Sequence, residues 1–178
     1  MNKVLSHDHK EIDVLLANLF NTMKTGDAEA VFTALDIFWA RLAMHIRAEH
    51  LHLFPAVLAG ADGTQVTKTV EELRADHDHF MHELADAVKT MRGILKTPAA
   101  AVPAEMKRMI GGMALRLARH NQIEESKIYP LAAGSLSVEE CDELEASIKQ
   151  ELDNFPKRFK QDGGDNITAG VKRNGELF

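Results

Sequence analysis

Cysteine is nearly missing from this chain of 178 residues: Cys141 stands alone. No intrachain disulfide can therefore form, and nothing in the sequence points to an oxidising compartment. Positive charge is also in short supply. Lys and Arg number 21 against 27 Asp and Glu, giving a net charge of −6. Phosphate binding needs a basic face, so nucleic acid is excluded as a partner. No run approaches the roughly 18 apolar residues that a membrane span needs, and the opening MNKVLSHDHKE lacks the apolar core of a secretory signal. Membrane association is excluded on the same grounds, and the expected location is the cytoplasm. Strand-like alternation is absent as well. Hydrophobic residues at 45% and charged residues at 27% are ordinary for one globular domain with a packed core.

What is present is helical periodicity. A first helix is predicted from about Ser6 to Lys24, with Leu5, His9, Ile12, Leu16, Leu19 and Met23 on one stripe. Thr25-Gly26-Asp27 forms a turn. A second helix starts near Ala28 and carries Leu35, Phe38, Leu42, His45, Glu49 and His52 inward, ending over Pro55 and Gly60-Ala61-Asp62-Gly63. A third begins between Thr64 and Thr69, with Leu73, His77, Phe80, Leu84, Val88, Met91 and Leu95 inward. After the loop Thr97 to Pro103, a fourth runs from about Ala104, with Ile110, Met113, Leu117, His120 and Glu124 inward, and stops near Pro130. Four helices of similar length on short connections predict an all-α fold, an up-down-up-down four-helix bundle over residues 1–134. Ser137 and Glu140 have capping-box spacing and open an accessory C-terminal helix within 135–160. Its stripe of Cys141, Leu144, Ile148, Leu152 and Phe155 is available for the bundle or for a second subunit. Residues 161–178, Gly-rich and polar, read as a flexible tail.

Nine histidines stand out in this composition, and two of them, His45 and His120, open a repeated phrase. HIRAEHLHLFP, residues 45–55, and HNQIEESKIYP, residues 120–130, place His, Glu, an apolar residue, an aromatic and proline at the same offsets. His45, Glu49, Leu53, Phe54 and Pro55 match His120, Glu124, Ile128, Tyr129 and Pro130, 75 residues apart. The first and third helices match too: Asp8-His9, Ile12 and Leu16 against Asp76-His77, Phe80 and Leu84. The repeating unit is a helical hairpin.

Counting from the turns sets the heights of these residues. His9 lies 17 residues before Gly26 and His45 lies 18 after Asp27, so both stand roughly 25 Å from that turn. The same counting levels His77 with His45, and His120 with His77 to within a turn. Glu49 and Glu124 follow their histidines by four residues, one turn along the same face. The two carboxylates are expected to point toward each other. A single histidine on an apolar stripe is more often a hydrogen-bonded core residue, and an isolated His-x-x-x-Glu is usually a surface pair. Six positions matched in height, facing and repeat call for another explanation. Buried charges cost several kcal/mol each unless paired, and a dinuclear metal centre removes that cost. Mixed nitrogen and oxygen donors without thiolate suit iron, with manganese and zinc also possible.

The order His, His-x-x-x-Glu, His, His-x-x-x-Glu, with Phe-Pro or Tyr-Pro closing the second and fourth helices, resembles the hemerythrin-like HHE cation-binding family. The likeness spans roughly residues 5 to 131. It implies two iron ions in a non-haem di-iron centre with an oxo or hydroxo bridge, manganese or zinc being less favoured. His9 and His45 would serve one iron, His77 and His120 the other, with Glu49 and Glu124 bridging. Oxygen-carrying members have a second histidine four residues after the one on the third helix, where this chain has Met81. They also carry His-x-x-x-x-Asp where this chain has His120-x-x-x-Glu124. Losing a histidine opens a coordination position, which suits binding or turnover of dioxygen, hydrogen peroxide or nitric oxide. The alternative is a non-catalytic module that senses or stores dioxygen or iron.

The remaining candidates are read separately. His52, seven residues after His45, is a core or mouth residue with a lesser claim as an auxiliary ligand. His79 and His82 lie off the stripe, and His7 and His50 are expected at the surface. Asp8 and Asp76 either steady a ligand from outside or are plain surface aspartates. Met81, Met109 and Met113 are core filler, and Phe38 and Trp39 are packing residues.

Overall fold

The computed structural model describes residues 3–60, 63–97, 101–156 and 159. The predicted flexible tail, Ala61-Asp62 and part of the loop before Pro103 lie outside the described residues. Among the described residues all regular structure is helical. Helix α1 spans Lys3–Thr25 and α2 spans Ala28–Ala48. Gly26 adopts φ +77°, the left-handed conformation that lets the chain reverse between them. The Asp27 side chain then caps α2, accepting from the N–H groups of Glu29 at 3.0 Å and Ala30 at 3.2 Å.

Beyond Ala48 the chain widens into one π-helical turn, Glu49–Leu53, and continues as α3, Phe54–Gly60. The same event recurs in the second half. Helix α4, Thr64–Ile94, is followed by α5, Ala104–Ile123, a π-helical turn at Glu124–Ile128 and α6, Tyr129–Ser135. The Phe54 N–H bonds the Glu49 carbonyl, and the Tyr129 N–H bonds the Glu124 carbonyl. These are five-residue spacings, each placed directly before a proline. Pro55 and Pro130 lack an N–H and would crowd the carbonyl four residues back. A turn that bonds five residues back accommodates the ring without ending the rod. The fourth helix therefore does not stop near Pro130: the rod runs on to Ser135, as the second rod runs past Pro55 to Gly60. Helices α3 and α6 pack on each other, and Gly60 is required there. A Cβ at Gly60 would come within 2.8 Å of the Ser135 side chain.

Helix α1 packs on α2, α2 on α4, α4 on α5 and α5 on α1. Helix α7, Val138–Asp153, opens with the anticipated capping box between Ser137 and Glu140 and lies on α2, α1 and the first π-helical turn. Leu144, Ile148 and Leu152 enter the core, and Arg47 Nε holds Glu151 at 2.7 Å. Of the two surfaces open to this helix, it uses its own chain. The inward stripes match the sequence reading apart from Leu95, which is exposed, and His52, which is half-buried.

The apolar interior divides into two clusters. Ile12, Leu42, Ile46, Phe80 and Leu117 belong to one, and Leu5, Ala48, Leu53, Leu73 and Ile128 to the other. Along three rods the candidate ligands fall between them: His9 between Leu5 and Ile12, His77 between Leu73 and Phe80, His120 and Glu124 between Leu117 and Ile128. On the second rod His45 and Glu49 straddle the boundary, between Leu42 and Leu53. A polar layer is thus sealed by hydrocarbon above and below.

Candidate metal centre

All six predicted site residues meet in that layer. His9, His45, His77 and His120 are buried, and Glu49 and Glu124 have no exposed surface at all. His9 Nε2 faces His45 Nε2 at 3.1 Å, and His77 Nε2 faces His120 Nε2 at 2.9 Å. Each carboxylate reaches both pairs. Glu49 Oε1 lies 3.2 Å from His45 Nε2 and Oε2 lies 3.3 Å from His77 Nε2. Glu124 Oε1 lies 3.1 Å from His120 Nε2 and Oε2 lies 3.4 Å from His9 Nε2. Two four-residue groups result, His9-His45-Glu49-Glu124 and His77-His120-Glu49-Glu124, sharing the two glutamates. The glutamate oxygens sit at ion-pair distance but without hydrogen-bond geometry, so all four are buried acceptors lacking a donor. Groups of that kind are rare and costly. Their inward aim is what a cation between them would satisfy.

The outer edges of the imidazoles explain why the inner edges converge. His45 Nδ1 donates to Asp8 Oδ2 at 2.8 Å, His120 Nδ1 to Asp76 Oδ2 at 3.3 Å and His9 Nδ1 to Glu125 Oε1 at 2.9 Å. An ionised carboxylate only accepts, so each of these rings carries a proton on Nδ1, and in its neutral form turns the Nε2 lone pair inward. That is the tautomer a metal needs. The aspartates are themselves held: Asp8 by the Arg41 guanidinium, and Asp76 by Arg116 Nε at 2.7 Å. Arg41 and Arg116 precede His45 and His120 by four residues, so the 75-residue repeat begins one turn earlier than the HIRAEHLHLFP phrase. That was the available signal for them. Asp8 and Asp76 are not plain surface aspartates: each holds the candidate histidine of the neighbouring helix rather than the one beside it in sequence.

Burial and charge set the protonation of the layer. Burial opposes ionisation of Glu49, but the neighbouring His45 charge wins and holds its carboxyl well below the usual range. Burial followed by the Glu49 charge pushes Glu124 up to about 8. Burial pulls His45 down, yet Glu49 and the Asp8 hydrogen bond outweigh it and raise His45 well above an ordinary imidazole. Burial lowers both His77 and His120. These shifts favour a carboxylate at Glu49 and bound protons at His45 and Glu124. Those protons occupy positions from which a metal ion could displace them.

Three further side chains border the layer. The Tyr129 hydroxyl lies 3.2 Å from His9 Nε2, and burial followed by the Glu124 charge keeps it protonated, well above a normal phenol. Its repeat partner Phe54 stacks on His77 with ring centroids 5.7 Å apart. His50 is not a surface residue: half-buried, it places Nε2 2.9 Å from His77 Nδ1. The π-helical turn advances fewer degrees per residue than an α-turn, so His50 stays close to the face of Glu49. The same phase change leaves His52 outside both four-residue groups. His7 pairs only with exposed Glu11, His79 with Glu83 and His82 with its own helix backbone, as expected of residues off the stripe. Met113 is buried, with Met81 and Met109 packed on the same cluster.

A polar groove of about 490 Å³ between α1 and α5 reaches His9, lined among others by Lys10, Asp13, Asn121 and Glu125. Burial lifts the Asp13 carboxyl above its usual range against the pull of His9. A larger groove of about 770 Å³ beside Gly60 and Ser135 contains Lys127 as its one titratable lining residue. No helix among the described residues is long and apolar enough to cross a membrane. Against known families, the model described as "Hemerythrin HHE cation binding domain" matches residues 1–132. No curated protein and no solved structure matches the chain.

Proposed function

The chain belongs to the hemerythrin HHE cation-binding domain family, and from that premise we propose that it holds two iron ions and uses them on small oxidants. The carrying observation is the sharing of Glu49 and Glu124 between two imidazole pairs. On this reading His9 and His45 hold one ion, His77 and His120 the other, and both carboxylates bridge. The donor set of four imidazole nitrogens and carboxylate oxygens suits iron, with manganese or zinc less favoured. The domain is residues 1–134, an up-down-up-down four-helix bundle, a reading supported by the ring of contacts α1 to α2 to α4 to α5 to α1. Residues 135–160 form an accessory segment, and the cytoplasm is the proposed location.

Bound iron would supply Lewis acidity and one-electron redox chemistry toward dioxygen, hydrogen peroxide or nitric oxide. The protein's part is separable from that. The apolar clusters on either side keep bulk water from the layer, which strengthens every electrostatic contact inside it. Asp8, Asp76 and Glu125 hold three rings in the donor tautomer. The Tyr129 hydroxyl is a protic group at the edge of the layer, kept neutral by burial and able to donate a hydrogen bond to a polar small molecule. Four imidazoles, with Met81 in place of a fifth, leave fewer protein donors than an oxygen carrier uses, which favours turnover over carriage.

A second reading, a sensor or store of dioxygen or iron, draws on one contact: α7 rests directly on the π-helical turn that carries Glu49. A change at that carboxylate would reach the accessory helix without an intermediary. Iron-loaded protein given excess peroxide or nitric oxide distinguishes the two. Repeated consumption supports turnover, and one-for-one uptake with a change in α7 supports sensing. Neither uptake nor consumption contradicts both.

A further inference from the structure

The two halves of the layer repeat in sequence but differ in the group behind each outer imidazole nitrogen, as well as at Tyr129 and its repeat partner Phe54. In the first half both rings rest on carboxylates, His9 on Glu125 at 2.9 Å and His45 on Asp8 at 2.8 Å. In the second half His120 reaches Asp76 at the longer distance of 3.3 Å, and His77 rests on another imidazole, His50, at 2.9 Å. Residues 50 and 125 occupy the same place in the repeat, 75 apart. A single substitution between the two copies has therefore made the backing groups of His9 and His77 unlike.

We infer that the His9–His45 position binds its cation first and more tightly than the His77–His120 position, and that Glu125 and His50 set this order as positioning residues. The reasoning rests on the proposed cation centre and on the chemistry of the backing group. A carboxylate that accepts the Nδ1 proton pushes negative charge into the ring, raises the basicity of Nε2 and fixes the tautomer that presents its lone pair. An imidazole adds no charge. It also fixes no tautomer, because His50 Nε2 can donate to His77 Nδ1 as well as accept from it, and the first arrangement leaves the His77 proton on Nε2, facing the layer. Such a proton must be moved before a cation can bind. Losing an outer partner of this kind costs about 10- to 100-fold in metal affinity. A groove between α1 and α5 has His9 and Glu125 in its lining.

Unequal binding steps alone do not establish this, because two neighbouring cations repel each other even at identical positions. The variants separate the causes. Metal-free protein is titrated anaerobically with Mn(II), and free ion is read by electron paramagnetic resonance at each addition. Wild type should take up two ions with distinct constants. Glu125→Gln should weaken the first step by about 10- to 100-fold and leave the second within about twofold, while Glu125→Asp restores it. His50→Glu should strengthen the second step and draw the two constants together. Glu125 is exposed on its outer side, so Glu125→Gln keeps the test informative should His50→Glu disturb the fold. Two unequal constants that neither substitution shifts, or a Glu125→Gln effect confined to the second step, overturn the assignment while leaving the centre intact. No uptake in wild type overturns both.

Discussion

Glu124→Gln should stabilise the metal-free protein while removing its capacity for metal, two effects of opposite sign from one isosteric change. In the fold the Glu124 carboxyl titrates near 8, because burial and the Glu49 charge disfavour its ionised form, whereas its ordinary value is 4.5. A raised acid binds its proton more tightly in the native state than in the unfolded one. Its contribution to stability is therefore intact below about 4.5, falls as pH rises and levels off above about 8. At pH 7, about 2.5 units above the ordinary value of 4.5, the unfolded carboxyl is ionised, while the native one remains mostly protonated. At about 1.4 kcal/mol per unit, this difference favours unfolding by about 3 kcal/mol. Glutamine keeps the shape, titrates nowhere and offers its one amide nitrogen as a donor to either His120 Nε2 or His9 Nε2, which lie 3.1 Å and 3.4 Å from the two present oxygens. Urea denaturation of metal-free wild type and variant at pH 5, 7 and 8.5 should show the variant gaining under about 1 kcal/mol at pH 5 and about 3 kcal/mol at pH 7. Metal content after iron loading should fall in the same variant. A variant that is less stable at every pH by a constant amount would refute the reasoning, since Glu124 would then be an ordinary structural partner.

Other perturbations test the arrangement from different sides. Glu49→Ala or Glu124→Ala should lose most bound metal while His79→Ala and His82→Ala retain it, because only the former pair faces both imidazole pairs; equal retention by all four contradicts the inward aim. Cation loading at pH 7 should release protons, one from Glu124, which burial and the Glu49 charge raise, and one from His45, which Glu49 and the Asp8 hydrogen bond raise against the pull of burial. A pH-indicator titration checks this, and the Glu124 share of the release should fade as the starting pH is raised past about 8. Asp8→Ala strips His45 Nδ1 and the Arg41 guanidinium of a shared partner and should weaken metal binding about 10- to 100-fold, read by competition with a chelator. Met81→His, four residues after His77, should slow peroxide consumption if the added imidazole reaches the layer and leave it unchanged if the side chain stays against the core cluster.

Period and spacing carried far in this chain because the helices obey them over most of their length. The stripes of α1, α4 and α5 could be read directly, and counting from Gly26 and Gly63 brought four histidines to one height. Prediction failed where the helix ceased to be an α-helix. The π-helical turns at Glu49 and Glu124 leave no trace in a 3.6-residue pattern; their one signal is a proline six residues after each glutamate, which reads more simply as a stop. From that single misreading follow the early end at Pro130, the surface placement of His50 and the inward placement of His52. Glu125 was obscured for a related reason, since its side chain crosses to α1, and contacts between helices are not written in any one helix. Arg41 and Arg116 were legible, because they extend the repeat by one turn, and Tyr129 was visible as an aromatic but not as a hydroxyl beside His9.

The central claim is that two cations share two carboxylates between two histidine pairs, and anomalous diffraction at the iron edge from iron-loaded crystals tests it most directly. The account expects two peaks per chain, one beside His9 and His45 and one beside His77 and His120, both within bonding distance of Glu49 and Glu124. A single peak, or iron bound without contact to either glutamate, would contradict it.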